Sequence, residues 1–141
     1  MVLRSLFAAM ALLASQQALA ADVTLKVIVN VANPVSTLDR EALSKIYLKK
    51  ETRWADGKDI MVLQPASRGA QAAFASQVHQ KSYEAVKHYF QQLIFSSRGA
   101  EPIEKKDDAA VVAAVAKFPN AIGYVTSVPT DPGVKIVSSS P

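Results

Sequence analysis

Residues 23–31 have the sequence VTLKVIVNV, in which β-branched residues dominate. The second half of this run is almost continuously apolar. Such a run predicts a β-strand covered on both faces, because a strand with one face in water alternates between apolar and polar residues. Asn33-Pro34 ends it. The chain is therefore expected to build a sheet that is flanked by helices.

Four helical patterns and three further strands follow this first strand. The helices are expected to begin at Asp39, Ser67-Arg68-Gly69, Ser82 and Asp107, where side-chain oxygens or small turn residues precede an apolar face. Short apolar runs at 60–63, 121–126 and 134–137 predict the remaining strands. This order predicts an α/β domain with a mainly parallel or mixed sheet of about four to five strands.

The first twenty residues have the pattern of a secretory signal peptide. Arg4 supplies the positive charge, residues 6–14 form a short apolar stretch, and Ala18-Leu19-Ala20 forms an A-x-A-like cleavage site. We expect residues 1–20 to be cleaved and residues 21–141 to form one domain, with cleavage after Ala21 and an uncleaved anchor as the alternatives. A cleaved signal without a lipid-bearing cysteine predicts a periplasmic protein.

Composition excludes several classes of function. The chain has no cysteine, which rules out disulfides, a thiolate nucleophile and a zinc–thiolate site. The net charge is +4, but lysine and arginine occur singly or in pairs such as Lys49-Lys50. Nucleic-acid-binding domains normally show a denser basic stripe, so no nucleic-acid partner is expected.

No pattern in the chain indicates catalysis. His79 and His88 are predicted to be solvated, with no acidic residue at metal-ligand spacing. The chain contains no H-E-x-x-H, G-x-S-x-G, Walker or G-x-G-x-x-G motif. Asp107-Asp108 is explained by a helix start. We therefore predict a protein that is not an enzyme and has no catalytic residue, no metal site and no cofactor.

The best candidate for a binding site is the segment QPASRGA at 64–70, where a strand passes through a small-residue turn into a helix. The first N–H groups of a helix lack partners and lie at its positive end, which favours an anion. Ser67 adds a hydroxyl and Arg68 a forked cation, next to the N–H groups of Gly69 and Ala70. The alternative is an ordinary capped helix with a surface arginine.

The tetrapeptide S-R-G-A occurs again at residues 97–100. We expect Arg98 from this second loop to approach the same anion as Arg68, although a four-residue repeat also arises by chance. Trp54 and Tyr124 are expected to serve packing and not to form a ligand platform.

Four segments together resemble a known family. They are residues 27–38 (VIVNVANPVSTL), 38–57, 94–102 (IFSSRGAEP) and 119–125 (PNAIGYV). In order and spacing they resemble the small, single-lobe relatives of the phosphate ABC transporter substrate-binding proteins, which have the type 2 periplasmic binding protein fold. The resemblance implies non-catalytic binding of inorganic phosphate or a similar oxyanion, and an ABC transporter membrane component as the partner.

Two departures from this family leave a second function open. Full-length members carry an R-S-D-G-S-G-T-like run at the strand-to-helix turn, of which only Gly69 remains here. They also have a second lobe, for which about 120 residues leave no room. The alternative is a periplasmic interaction module that binds no ligand and docks another envelope protein. An uncovered lobe face would favour such a complex or a homodimer.

Overall fold

The computed structural model describes residues 23–140. The predicted signal peptide at residues 1–20 and its cleavage site lie outside the described residues, so the proposed division of the chain at residue 20 stays a prediction. Between residues 23 and 140, no helix is both long enough and apolar enough to cross a bilayer.

Seven strands and four α-helices make up the regular structure of residues 23–140. The strands are β1 Lys26–Asn30, β2 Thr37–Asp39, β3 Met61–Pro65, β4 Ile103–Lys105, β5 Ala121–Val125, β6 Val134–Ile136 and β7 Ser138–Ser140. The helices are α1 Arg40–Tyr47, α2 Arg68–Phe74, α3 Tyr83–Phe95 and α4 Asp108–Lys117. Helix α2 continues directly into a π-helical segment, Ala75–His79.

The main sheet has five strands in the order β4-β3-β5-β1-β6, and β2 forms a separate parallel pair with β7. Strand β3 runs parallel to β4 and β5, while β1 is antiparallel to β5 and β6. The prediction of a mixed sheet of four to five strands flanked by helices is therefore confirmed. The carboxyl ends of β3, β4 and β5 meet at one edge, which is where open α/β sheets favour ligands.

All four predicted helix starts are confirmed by their capping hydrogen bonds. In each helix the capping side-chain oxygen accepts a hydrogen bond from the backbone N–H three residues later, which satisfies one of the groups that the helix leaves free. The pairs are Asp39 with Ala42 at 2.7 Å, Ser67 with Ala70 at 3.2 Å, Ser82 with Ala85 at 3.1 Å, and Asp107 with Ala110 at 2.9 Å.

The centre of the sheet is buried on both faces, as residues 23–31 predicted. On one face, Val27 and Val29 join an aromatic cluster in which the rings of Phe74 and Tyr124 stack with centroids 4.1 Å apart. On the other face, Ile28 belongs to an aliphatic cluster that packs under α4. Alternating side chains of one strand therefore enter two cores.

Helix α4 approaches the sheet most closely at Gly123 in β5. A Cβ atom at this position would lie 2.6 Å from Cγ1 of Val111 and 3.2 Å from Cγ2 of Val115. Both valines are fully buried. The absence of a side chain at Gly123 is therefore what lets the helix rest on the strand.

Helix α3 is less buried than its pattern predicts. The apolar pattern predicts that the inward residues are Tyr83, Val86, Phe90, Leu93 and Ile94. Of these only Phe90 is fully buried, whereas Ile94 is 50% exposed and the neighbouring Phe95 is 95% exposed. The helix packs chiefly against the π-helical segment, and the hydroxyl of Tyr89 ties it to the Leu48 carbonyl at 2.6 Å. The last turn extends beyond these contacts, which leaves its apolar side chains in solvent.

Candidate functional site

The segment 64–70 lies where the sequence placed it, between the end of β3 and the start of α2. Strand β3 ends at Pro65, and the Ala66 N–H donates to the Lys105 carbonyl at 2.7 Å. This bond extends the pairing of β3 with β4 into the turn. The turn is therefore fixed at the edge where the parallel strands end, with Lys105 and Lys106 beside it.

Ser67 has an extended backbone, with φ −68° and ψ 118°, and its Oγ accepts from the Ala70 N–H. Two of the predicted ligand groups are therefore bonded to each other. The Ser67 hydroxyl hydrogen remains able to donate, because only the oxygen is used in the cap. Among the described residues, no group accepts a hydrogen bond from the backbone N–H of Arg68 or Gly69.

Arg68 extends from this turn towards the start of α3. Its Nη2 lies 3.2 Å from Oε1 of Glu84, and its guanidinium lies over the ring of Tyr83, 4.8 Å from the centroid. The arginine side chain is 73% exposed. An exposed ion pair of this kind is weak, because water screens both charges. Arg68 is thus oriented by its neighbours and still accessible.

Arg98 lies at the other end of α3. Its backbone N–H donates to the Leu93 carbonyl at 3.0 Å and its Nε to Ser96 Oγ at 3.2 Å, so the side chain stays near the helix carboxyl end. A helix of 13 residues is about 20 Å long. The structure therefore separates Arg98 from Arg68, and the two S-R-G-A loops do not converge on one anion.

Asp108, in the first turn of α4, binds the end of β5. Its Oδ2 accepts four hydrogen bonds, from the N–H and hydroxyl groups of Thr126 and Ser127, at 2.8–3.2 Å. Partial burial raises the pKa of Asp108, but the four hydrogen bonds outweigh burial and leave the pKa below its usual value. The interpretation of Asp107-Asp108 as a helix start is therefore incomplete, since Asp108 also ties α4 to the sheet.

The prediction that His79 is solvated is wrong, because the residue is only 9% exposed. Its Nδ1 is 2.7 Å from Ser44 Oγ. Burial, together with the nearby charges of Lys81 and Lys50, lowers its pKa to about 4. The π-helical segment changes the helical periodicity just before His79 and turns the ring inwards. His88 is exposed on α3, as predicted, beside Gln92.

Packing explains the positions of Tyr124 and Trp54, as expected from the sequence. Tyr124 is fully buried in the aromatic cluster, and burial raises its pKa. Trp54 is half-buried against the same cluster and donates from Nε1 to the Asn120 carbonyl at 3.0 Å. Among residues 23–140, no group of three or more His, Asp or Glu side chains is placed to hold a metal ion.

Sequence reasoning missed Tyr83 and Glu84, the two residues that orient Arg68. Glu84 is 16 positions away from Arg68, and no local pattern connects them. The one available signal was the N-cap Ser82, which places both residues in the first turn of a helix. A carboxylate is favoured there by the positive end of the helix.

No family model matches the chain, and no curated protein matches it. Several solved structures do match it. An ABC-type phosphate transport receptor from Vibrio cholerae aligns at 24% identity with a TM-score of 0.63, over 82% of this chain and 45% of the receptor. A Clostridium perfringens structure, described as a phosphate ABC transporter substrate-binding protein with bound phosphate, aligns at 20% identity and 0.62, over 82% and 44%. PstS from Borrelia burgdorferi aligns at 16% identity and 0.54, over 82% and 46%.

The chain thus spans just under half the length of the structures that it matches. At these identities the likeness concerns the fold. Residues 23–140 have the fold of a single lobe of the periplasmic binding proteins, and the expected resemblance to phosphate ABC transporter substrate-binding proteins is confirmed at that level.

Proposed function

We propose that this protein binds phosphate or a similar oxyanion outside the cytoplasm, without catalysis, and serves an ABC-type phosphate uptake system. The observation that carries the proposal is the turn between β3 and α2. It lies at the carboxyl edge of three parallel strands and combines an arginine, a serine and helix N–H groups without internal acceptors.

The proposed site uses four groups. Arg68 supplies the charge, the N–H groups of Arg68 and Gly69 donate from the start of α2, and the Ser67 hydroxyl donates its free hydrogen. Ala70 contributes by holding Ser67 in place, since its own N–H is used in the cap. Lys105 and Lys106 add positive charge at the same edge. Arg98 is excluded from the site by its distance.

An incoming oxyanion must compete with Glu84 for Arg68. The pair is exposed, and pairs of this kind contribute about 0–1 kcal/mol. An oxyanion that gains a forked, charge-assisted contact with Arg68 can displace such a partner. We expect affinity in the micromolar to millimolar range, or about 4–8 kcal/mol of binding free energy.

The wider setting of this function is also proposed. The solved structures that share the fold are described as phosphate transport receptors and phosphate-binding proteins. The signal-peptide pattern of residues 1–20 supports export to the periplasm. The partner would then be the membrane component of an ABC transporter, which takes up the anion that this lobe presents.

A calorimetric titration tests the proposal directly. The full chain is titrated with phosphate and, separately, with sulfate at low ionic strength, since salt weakens exposed charge contacts. The wild-type protein is expected to give saturable heat with phosphate, and Arg68→Ala should bind phosphate more weakly. A wild-type protein that gives no saturable heat with either anion would refute oxyanion binding at this turn.

A second function is favoured by the exposed end of α3. Ile94 and Phe95 place adjacent apolar side chains in solvent, which is typical of a contact surface. They favour an envelope protein–protein interaction module, or a homodimer. Light scattering over a range of protein concentrations tests this alternative. Association that Phe95→Ser abolishes would support it, and a monomer at every concentration would exclude the homodimer.

A further inference from the structure

A second site lies next to the turn, on the core side of β3. A cavity of about 30 Å³ lies between the sheet, α2 with its π-helical segment, and α3. Aromatic rings and buried polar side chains form its walls. The side chains that line it include Tyr47, Gln64, Gln71, Phe74, His79, Phe90 and Tyr124.

Gln64, in β3, brings a hydrogen-bond donor to this cavity. The residue is only 8% exposed, and its Oε1 accepts from the Tyr124 hydroxyl at 3.3 Å. In this arrangement the amide oxygen faces the tyrosine hydroxyl, and Nε2 faces away from it. Among residues 23–140, Nε2 donates no hydrogen bond, and this nitrogen is not sealed inside the protein. Its two N–H groups are therefore free to bind a molecule in the cavity.

His79 brings a second nitrogen. Its Nδ1 is held by Ser44 Oγ, and within the described part of the chain Nε2 has no hydrogen-bond partner. The π-helical segment ends at Gln80, whose left-handed backbone with φ 55° closes the helix directly after the histidine. Such segments occur frequently at functional sites. Because burial keeps the ring neutral, Nε2 acts as one donor or one acceptor.

The size of the cavity and the surrounding charge define the ligand. A cavity needs about 10–15 Å³ to hold one water molecule, so this volume suits one or two. Lys87 and Glu101 also line it, with Nζ and Oε1 3.1 Å apart, and Glu104 lies 4.0 Å from the same lysine. One cation beside two carboxylates does not favour an anion. A neutral molecule that both donates and accepts hydrogen bonds fits these lining side chains.

We propose that the cavity is a binding site for one or two ordered water molecules, held by Gln64 Nε2 and His79 Nε2. The site adjoins the oxyanion turn, since Gln64 begins segment 64–70 and Tyr83, which lies under Arg68, also lines the cavity, but its ligand does not depend on oxyanion binding. Neither nitrogen is sealed from solvent, and water molecules that bridge polar groups left unpaired by the protein contribute nearly as much as direct hydrogen bonds. The waters would connect β3 to the π-helical segment across the aromatic cluster.

High-resolution crystallography and NMR on the wild-type full chain test this site. Ordered water peaks are expected within hydrogen-bond distance of both nitrogens. Water cross-peaks to the Gln64 side-chain amide should have opposite signs in NOE and ROE spectra, as for water that tumbles with the protein. A wild-type cavity with neither peaks nor such cross-peaks would overturn the proposal, whatever the variants do.

Two variants assign the water molecules to their partners. Gln64→Met keeps the side-chain length and should lose the peak beside residue 64. His79→Phe keeps a ring and should lose the peak beside residue 79. His88→Phe, on the exposed face of α3, is the matched control and should retain both peaks. Retention of both peaks at unchanged positions in Gln64→Met and His79→Phe would contradict the proposed ligands.

Discussion

The same four residues, Ser-Arg-Gly-Ala, begin one helix and follow the end of another. At 67–70 the serine is extended and caps α2. At 97–100 the serine has a left-handed backbone, with φ 57°, and its N–H donates to the Ile94 carbonyl at 3.0 Å as α3 ends. The tetrapeptide therefore has no structure of its own, and its conformation is set by the elements around it.

The difference also separates the two loops electrostatically. The 67–70 loop lies at the positive end of a helix, where an anion is stabilised, and the 97–100 loop follows a negative end, where it is not. The preceding residues decide which end is formed. Ala66 directly follows a strand and is hydrogen-bonded to β4, whereas Ser96 continues the last turn of α3. Only the first loop therefore offers an oxyanion site.

The largest expected effect is a pH dependence of the free energy of unfolding. It should distinguish α2, which begins at the first loop, from α3, which ends at the second. The helix that begins at Ser67 runs on to buried His79. Because its pKa is about 4 in the folded protein and about 6.5 when unfolded, the unfolded chain binds the proton more readily between these values. The free energy of unfolding should be constant above about pH 6.5 and fall by up to about 3 kcal/mol as the pH drops to 4.

Urea denaturation at several pH values measures this dependence. The difference between wild type and His79→Gln isolates the histidine from the carboxylates, and His88→Gln is the control. Hydrogen exchange should show the loss of protection in α2 before the end of α3. Equal pH dependence in wild type and His79→Gln would mean that the buried ring does not control the stability of this helix.

The next effect compares the two arginines as phosphate ligands. Arg68→Ala should weaken phosphate binding about tenfold, or by about 1.4 kcal/mol, because a charge-assisted contact is lost. Arg98→Ala removes the same charge from the same tetrapeptide, about 20 Å away along α3, and should leave the dissociation constant unchanged. Calorimetry on both variants checks the pair. Equal weakening would indicate a general charge effect and no site at residue 68.

A smaller effect compares the two serines. Ser67→Ala removes a helix cap and should lower the free energy of unfolding by about 1 kcal/mol. Ser97→Ala should change it by less than about 0.5 kcal/mol, as expected for a surface substitution that removes no cap. Urea denaturation of both variants, with circular dichroism as the probe, measures the difference. Equal losses would show that Ser67 does not act as a cap in solution.

The smallest effect should differ in sign between the two glycines. At Gly69 an added Cβ meets only Ser67 Oγ, at 3.8 Å, so Gly69→Ala should stabilise α2 by about 0.5 kcal/mol. At Gly99 the same atom would lie 2.9 Å from Leu93 Cδ2 and must displace it. Gly99→Ala should therefore be neutral or slightly destabilising. Thermal unfolding of the two variants tests this, and stabilisation by both would mean that Leu93 yields without cost.

Local chemistry predicted the parts of the fold that depend on neighbouring residues. The caps Asp39, Ser67, Ser82 and Asp107 each bond to a group three positions away, which a sequence pattern can contain. Strands β1 and β5 are apolar enough to be recognised alone. The turn at 64–70 was predicted for the same reason, because it joins a strand to a cap.

Distant partners account for what the sequence did not predict. Strand β4 has two exposed residues and one half-buried residue, and it exists because β3 offers it hydrogen bonds. His79 is buried through a π-helical segment whose sequence looks like ordinary helix. The position of Arg98 depends on the length and direction of α3, and Glu84 reaches Arg68 only in the folded chain. These features are decided by tertiary packing.

Gly123 shows how a residue without a side chain can limit sequence variation. Its place in β5 requires no hydrogen bond from a side chain and no left-handed backbone, yet any larger residue would enter space that Val111 and Val115 already fill. In a library of random substitutions, this position should accept almost nothing but glycine. A larger residue at position 123 would require smaller residues on α4 at the same time. Single substitutions cannot supply both changes.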